Sequence, residues 1–237
     1  MQAMNKNNIL AGLVIALLAL GAWWFTQSSS HLLPIAEGDT VASWDFPGPF
    51  KDGGELEKRA RDEIIRSESL LGGDQSGAGD DPTDYTLYVS IANQFLLLGD
   101  GKRAYEYLGR ALKIDAEKTG LAWRNLGSLM ERLGALGTAR VAYSRAVEAQ
   151  PNIVEYHVVR LQFLISHFSD DVAAIDAAFD EAKQELGETP EILQIKAEWQ
   201  EKTGSIEDAI KTLQSMHTIM GVGEQNSAGE IARLRSL

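Results

Sequence analysis

Residues Leu121–Pro151, LAWRNLGSLMERLGALGTARVAYSRAVEAQP, place large and small apolar side chains at helical intervals on either side of a tight turn. Large groups fall at Trp123, Leu126, Met130 and Tyr143, and small ones at Gly127, Gly134, Ala139 and Ala146. Two amphipathic helices give this pattern. The small residues let the helices touch, the large ones fill the space between, and Pro151 stops the second helix. The pattern recurs. Thirty-five residues earlier, Tyr88, Ile91, Ala92 and Phe95 hold the places of Trp123, Leu126, Gly127 and Met130. In the same copy Gly99, Ala104, Leu108 and Ala111 hold those of Gly134, Ala139, Tyr143 and Ala146. A lone helix pair cannot bury its apolar face, so a recurring pair demands neighbours stacked on it.

Beyond Pro151 the pattern weakens. Ile153–Phe168 reads as a first helix with Tyr156, Val159 and Phe163 on one face, and Ala173–Leu186 as its partner. Arg160 then stands where a small residue is expected, and the turn HFSDD is long. Pro190–Met220 restores the pattern in part, with Pro190 in a first helical turn, Thr203-Gly204 as the turn, and Ala209 and Leu213 as small and large residues. Trp199 falls one residue away from the Met130 place. Ser227 and Glu230 have the S-x-x-E spacing of a capping box, predicting a last short helix within residues 221–237 that caps the stack.

These residues resemble the tetratricopeptide repeat family over residues 85–220, most closely over residues 85–151. The resemblance implies an all-α solenoid of helical hairpins. It also implies that Tyr88, Ala92, Ala104, Trp123, Leu126, Gly127, Ala139, Tyr143, Ala146 and Pro151 serve packing. Partners, as the family implies, bind a concave groove lined by the first helix of each hairpin. Groove-facing positions are then Thr86, Val89, Asn93 and Leu96, followed by Leu121, Arg124, Ser128 and Glu131. His157 and Leu161 follow in the third copy. The lysine-and-asparagine clamp that some members use for a C-terminal carboxylate is not expected. Val89 stands in its first lysine place, and Val154 and Val158 replace the cations of the third copy.

Residues 9–25, ILAGLVIALLALGAWWF, contain no charge and no proline. As a helix they span about 26 Å, close to the ~30 Å hydrocarbon core of a bilayer. Lys6 is the one basic residue before the run, and every acid lies after it. That asymmetry puts residues 1–8 in the cytoplasm and the rest outside, with Trp23, Trp24 and Phe25 at the outer interface. The reading is a single-pass anchor in the inner membrane with a periplasmic C-terminal domain. A cleaved signal with Ala19-Leu20-Gly21 near its cleavage site is the alternative. Residues 26–54, with Pro34, Pro47 and Pro49, read as a linker that would average about 30 Å end to end as a flexible coil. Within it, Trp44-Asp45-Phe46-Pro47-Gly48-Pro49-Phe50 is either a motif for a partner or packs on the chain's own first helix. Residues 55–72 read as a flanking amphipathic helix with Leu56, Ala60, Ile64 and Leu71 inward, and residues 73–84 as an acidic loop.

Lys+Arg number 22 against 34 Asp+Glu, a formal net charge of −12. That argues against nucleic acid as a partner, and against adhesion to anionic lipid through a basic surface. There is no cysteine, which removes thiolate metal sites, disulfides and thiol nucleophiles together. His31, His157, His167 and His217 have no zinc spacing, and no phosphate-binding or nucleophile-elbow motif occurs. No cofactor, metal or catalysis is expected. The expected partners are other membrane or periplasmic proteins or their peptide segments, with one helix in the lipid bilayer. Three roles fit: an adaptor for a cell-envelope complex, a periplasmic holdase for exported clients, or an accessory subunit of a membrane machine for pili, secretion or cytochrome maturation.

Overall fold

Among the described residues, Glu55–Leu70 (α1) opens a series of ten helices, and no strand occurs. The computed structural model describes residues 33–73, 83–221 and 224–236. The apolar run at residues 9–25 lies outside them, as does most of the acidic loop. No helix of the described residues is long and apolar enough to cross a membrane. From Ile35 onward the chain packs as one unit.

Four hairpins follow α1: Asp84–Leu98 with Gly101–Ile114 (α2, α3), Leu121–Arg132 with Leu136–Ala149 (α4, α5), Val154–His167 with Val172–Leu186 (α6, α7), and Pro190–Lys202 with Ile206–Ile219 (α8, α9). Each packs on the next, an arrangement that fits a solenoid. The Thr83, Asp100 and Asp171 side chains accept from the Thr86, Arg103 and Ala174 amides and cap α2, α3 and α7. Gly99, Gly134 and Gly204 turn the first, second and fourth hairpins at φ +75°, +78° and +80°, a left-handed conformation that favours glycine.

Most of the residues read as packing residues are buried. Ala92, Ala104, Leu126, Ala139 and Ala146 are fully buried, and Trp123 and Tyr143 nearly so. Tyr88 and Pro151 are half-buried. A Cβ on Gly127 would lie 2.6 Å from the Tyr143 ring, so the ring rests on α4 backbone.

The third hairpin is in a different register from the one its sequence suggests. Burial of Ala122, Trp123, Leu126, Gly127, Leu129 and Met130 repeats 34 residues on at Tyr156, His157, Arg160, Leu161, Phe163 and Leu164. His157 therefore takes the Trp123 place, Arg160 the Leu126 place and Leu161 the Gly127 place. The nitrogens agree: Trp123 Nε1 donates to Ala116 O at 2.8 Å, and His157 Nε2 bonds Pro151 O at 2.8 Å. A leucine where the other hairpins have Gly127 or Ala92 keeps the second helix off the first. The third hairpin accordingly closes less tightly, and α6 packs directly on α8.

Both ends are covered. Helix α1 packs on α2 through Ala60, Ile64 and Ser67, while Leu56 of the predicted inner face is 45% exposed. Residues Glu224–Arg235 (α10) set Ile231 and Leu234 against Leu193, Ala197, Ile210 and Leu213, and Arg233 bonds Glu201 through both terminal nitrogens at 2.6 and 2.8 Å. Because α10 starts at Glu224, Ser227 lies inside the helix. The helix therefore does not begin at the N-cap place predicted for Ser227.

Residues 35–51 have no helix, as their prolines dictate, yet they are not a free coil. They form an extended strap across the hairpin turns. Phe46 N and Phe50 N donate to Gly99 O and Leu97 O, and Gly101 N donates to Trp44 O, at 2.9–3.1 Å. Asp45 bridges Asp100 in antiparallel fashion. Gly48 is pressed against the turn, where a Cβ would lie 2.4 Å from Leu97 O. Further along, Asp39 accepts from Gly137 N, Thr138 N and Thr138 Oγ1 at 3.1, 2.6 and 2.7 Å, capping α5 from outside. Partial burial raises the Asp39 pKa, but the three hydrogen bonds outweigh it and hold the carboxyl below its usual range. The aromatic motif is spent on these contacts. Trp44 packs on Tyr105, whose hydroxyl burial pushes up to about 12, and Phe46 lies under Arg132.

Candidate functional site

The first helices α2, α4, α6 and α8 present one side of the stack, and polar side chains tie neighbours together across it. Asn125 Nδ2 donates to Asn93 Oδ1 at 3.0 Å, linking α4 to α2. Arg124, beside Asn125, bonds Glu155 at 2.8 Å and links α4 to α6. Glu131 accepts from the Tyr143 hydroxyl at 2.7 Å with one oxygen and meets His167 Nε2 at 2.8 Å with the other. Burial and the adjacent Glu131 carboxylate both raise the Tyr143 pKa, keeping its proton on the hydroxyl.

Seven of the ten predicted groove positions keep exposed surface on this side: Asn93, Leu96, Arg124 and Glu131 are part-exposed, and Thr86, Leu121 and Ser128 are exposed. His157 is not on it. It is 0% exposed and holds the backbone at Pro151, because the true register turns it inward. Leu161 and Val89, also predicted to face the groove, are buried at 0% and 3%.

The residues that do continue the face follow from the corrected register. Ser128 and Glu131 map to Gln162 and Ile165 in α6, and Ser128 maps to Glu198 in α8. Gln162, Ile165 and Glu198 line a cleft of about 250 Å³ between α6 and α8, with Ile195 and Trp199 as its apolar wall and Lys202 at its rim. No residue of the strap lines it. For Gln162 and Ile165 the signal in the sequence was the 34-residue offset, masked by Arg160, whereas Glu198 lies 70 residues beyond Ser128, two more than that offset gives. A second cleft, between Phe50 and α1, sets apolar Phe50, Leu56 and Ala60 beside charged Arg59, Asp62, Glu63 and Arg66. Among the described residues no group of three or more histidines and carboxylates is placed to hold a metal ion.

No protein-family model matches the chain, and no curated protein matches it.

Proposed function

We propose that the protein is a membrane-anchored adaptor that binds a segment of another envelope protein along its first-helix side and has no chemistry of its own. Residues 9–25 serve as the anchor, and the hairpins act as a tetratricopeptide-like solenoid on the outer side of the membrane. The cleft between α6 and α8 carries this reading. It sets apolar Ile165, Ile195 and Trp199 beside polar Gln162, Glu198 and Lys202, a mixture suited to an amphipathic polypeptide segment. The polar contacts from Asn93 to Glu155 extend the same face and hold successive helices in register for a long ligand.

Affinity purification of the full chain in mild detergent tests this. A stoichiometric partner is expected with the unaltered chain and its loss, by tenfold or more, with Ile165→Asp at unchanged helicity. Retention of that partner by the variant, or recovery only of unrelated unfolded chains, would contradict it.

A further inference from the structure

The formal charge of −12 is unevenly distributed. Helix α3 holds Lys102, Arg103, Arg110 and Lys113 against one acid, Glu106. Helix α7 holds Asp176, Asp180, Glu181 and Glu185 against one base, Lys183. Helix α3 also divides its two faces more cleanly than the other described helices. Ala104, Tyr105, Leu108, Ala111 and Leu112 are buried, whereas all four cations are exposed and Ile114 beside them is 53% exposed.

These cations are only loosely engaged. Arg103 meets part-exposed Asp100 at 3.3 Å and lies over the Phe95 ring, Lys102 meets exposed Glu106 at 3.8 Å, and Arg110 lies over the Tyr107 ring. Exposed pairs of this kind contribute little and exchange partners readily. The strap adds Trp44, half-buried against Tyr105 with Lys102 Nζ 5.0 Å from its ring centroid. A helix face of lysines and arginines, with an exposed isoleucine and a tryptophan at its edge, has the chemistry of a surface that lies on lipid headgroups.

We infer that the outward face of α3 docks on an anionic lipid surface. This rests on the anchored reading above, since an anchor in the same chain raises the effective concentration of headgroups at that face. The mean acidity of the chain opposes such contact only on average. Screening confines each interaction to about 10 Å at moderate salt, so the local face decides it. A lipid surface fits better than an acidic protein segment, because neither cleft described above includes an α3 residue. The cations stand on an exposed helix surface, and neither of those clefts offers them a pocket that would fix a peptide's register.

The chain has no cysteine, so a single label site can be introduced into the full protein. Glu106→Cys, carrying a fluorophore, is placed in nanodiscs of phosphatidylcholine alone or with phosphatidylglycerol, both doped with a headgroup quencher. Quenching is expected to be several-fold stronger in the anionic discs. It should fall to the neutral-lipid level at about 0.5 M salt, where the screening length is only a few ångströms. The same fall is expected with Lys102→Glu, Arg110→Glu and Lys113→Glu combined, at an unchanged melting temperature. A label at Asp180→Cys in α7 should be quenched weakly throughout. Equal quenching in both lipids, or at both label sites, would overturn the proposal. So would protection of residue 106 by a copurified acidic protein regardless of lipid. A chain that never enters the discs would overturn the anchored reading itself, a failure distinct from the others.

Discussion

At Gly127 the α4 backbone and the Tyr143 ring occupy adjoining space, with no room for a methyl group. Gly127→Ala is expected to cost about 1–3 kcal/mol by overpacking, despite alanine's better helix propensity. Denaturant midpoints check this, and an unchanged midpoint would contradict the packing. His157 is the second residue whose chemistry is set by burial. Desolvation lowers its pKa, Arg160 adds to that, and the Pro151 carbonyl and the Glu181 and Glu185 charges oppose it. Its Nδ1 has no hydrogen-bond partner. The folded state therefore holds the ring neutral where the unfolded chain would take up a proton. This contribution to stability is present above the ordinary histidine pKa of about 6.5 and is lost as pH falls below it. Melting temperature should drop between about pH 7 and pH 5, and His157→Gln should flatten that drop. An identical pH dependence in the variant would exclude His157 as its source.

Among the elements, the hairpins built on repeated small residues were legible in the sequence and the third was not. Ala92 and Gly127 announce close helix contacts at α2 and α4. Leu161 holds the equivalent place in α6, and a leucine there gives no sign of its register. Arg160 obscures the register further. It is buried at 7% exposure only because Glu181 of α7 meets its guanidinium at 2.5 Å, a pairing between helices that no local spacing reveals. The strap was hidden for another reason. Its contacts are largely backbone on backbone, from Phe46 to Gly99 and Phe50 to Leu97, and backbone pairing leaves little trace in side-chain pattern. What did mark it was the pair of glycines at its tightest approach, Gly48 and Gly99. Gly48→Ala is expected to detach residues 44–50 from the first turn. Limited proteolysis would then cut near Lys51 at least tenfold faster while the helices stay folded. Equal protease resistance in the variant would show that the strap docks without this contact.

For the whole molecule, the strap and the helix stack divide the labour. The strap closes the turn edge of the first two hairpins through Gly99 and Thr138, and the first-helix side keeps its cleft lined by helix residues alone. Residues that mark the pattern in sequence hold the stack together. Residues free to meet a partner are those the pattern leaves unspecified, such as Ser128, Gln162 and Ile165. That is why the fold was readable and the cleft was not: packing constrains one face of each helix and leaves the other to the partner's chemistry. Photocrosslinking in cells tests this division most directly, with a photoreactive residue placed in turn at Ser128, at Gln162 and at Arg145 on the second-helix side. The account predicts a discrete crosslinked partner from Ser128 and Gln162 and none from Arg145. A partner captured at Arg145 alone, or equally at all three positions, would contradict it.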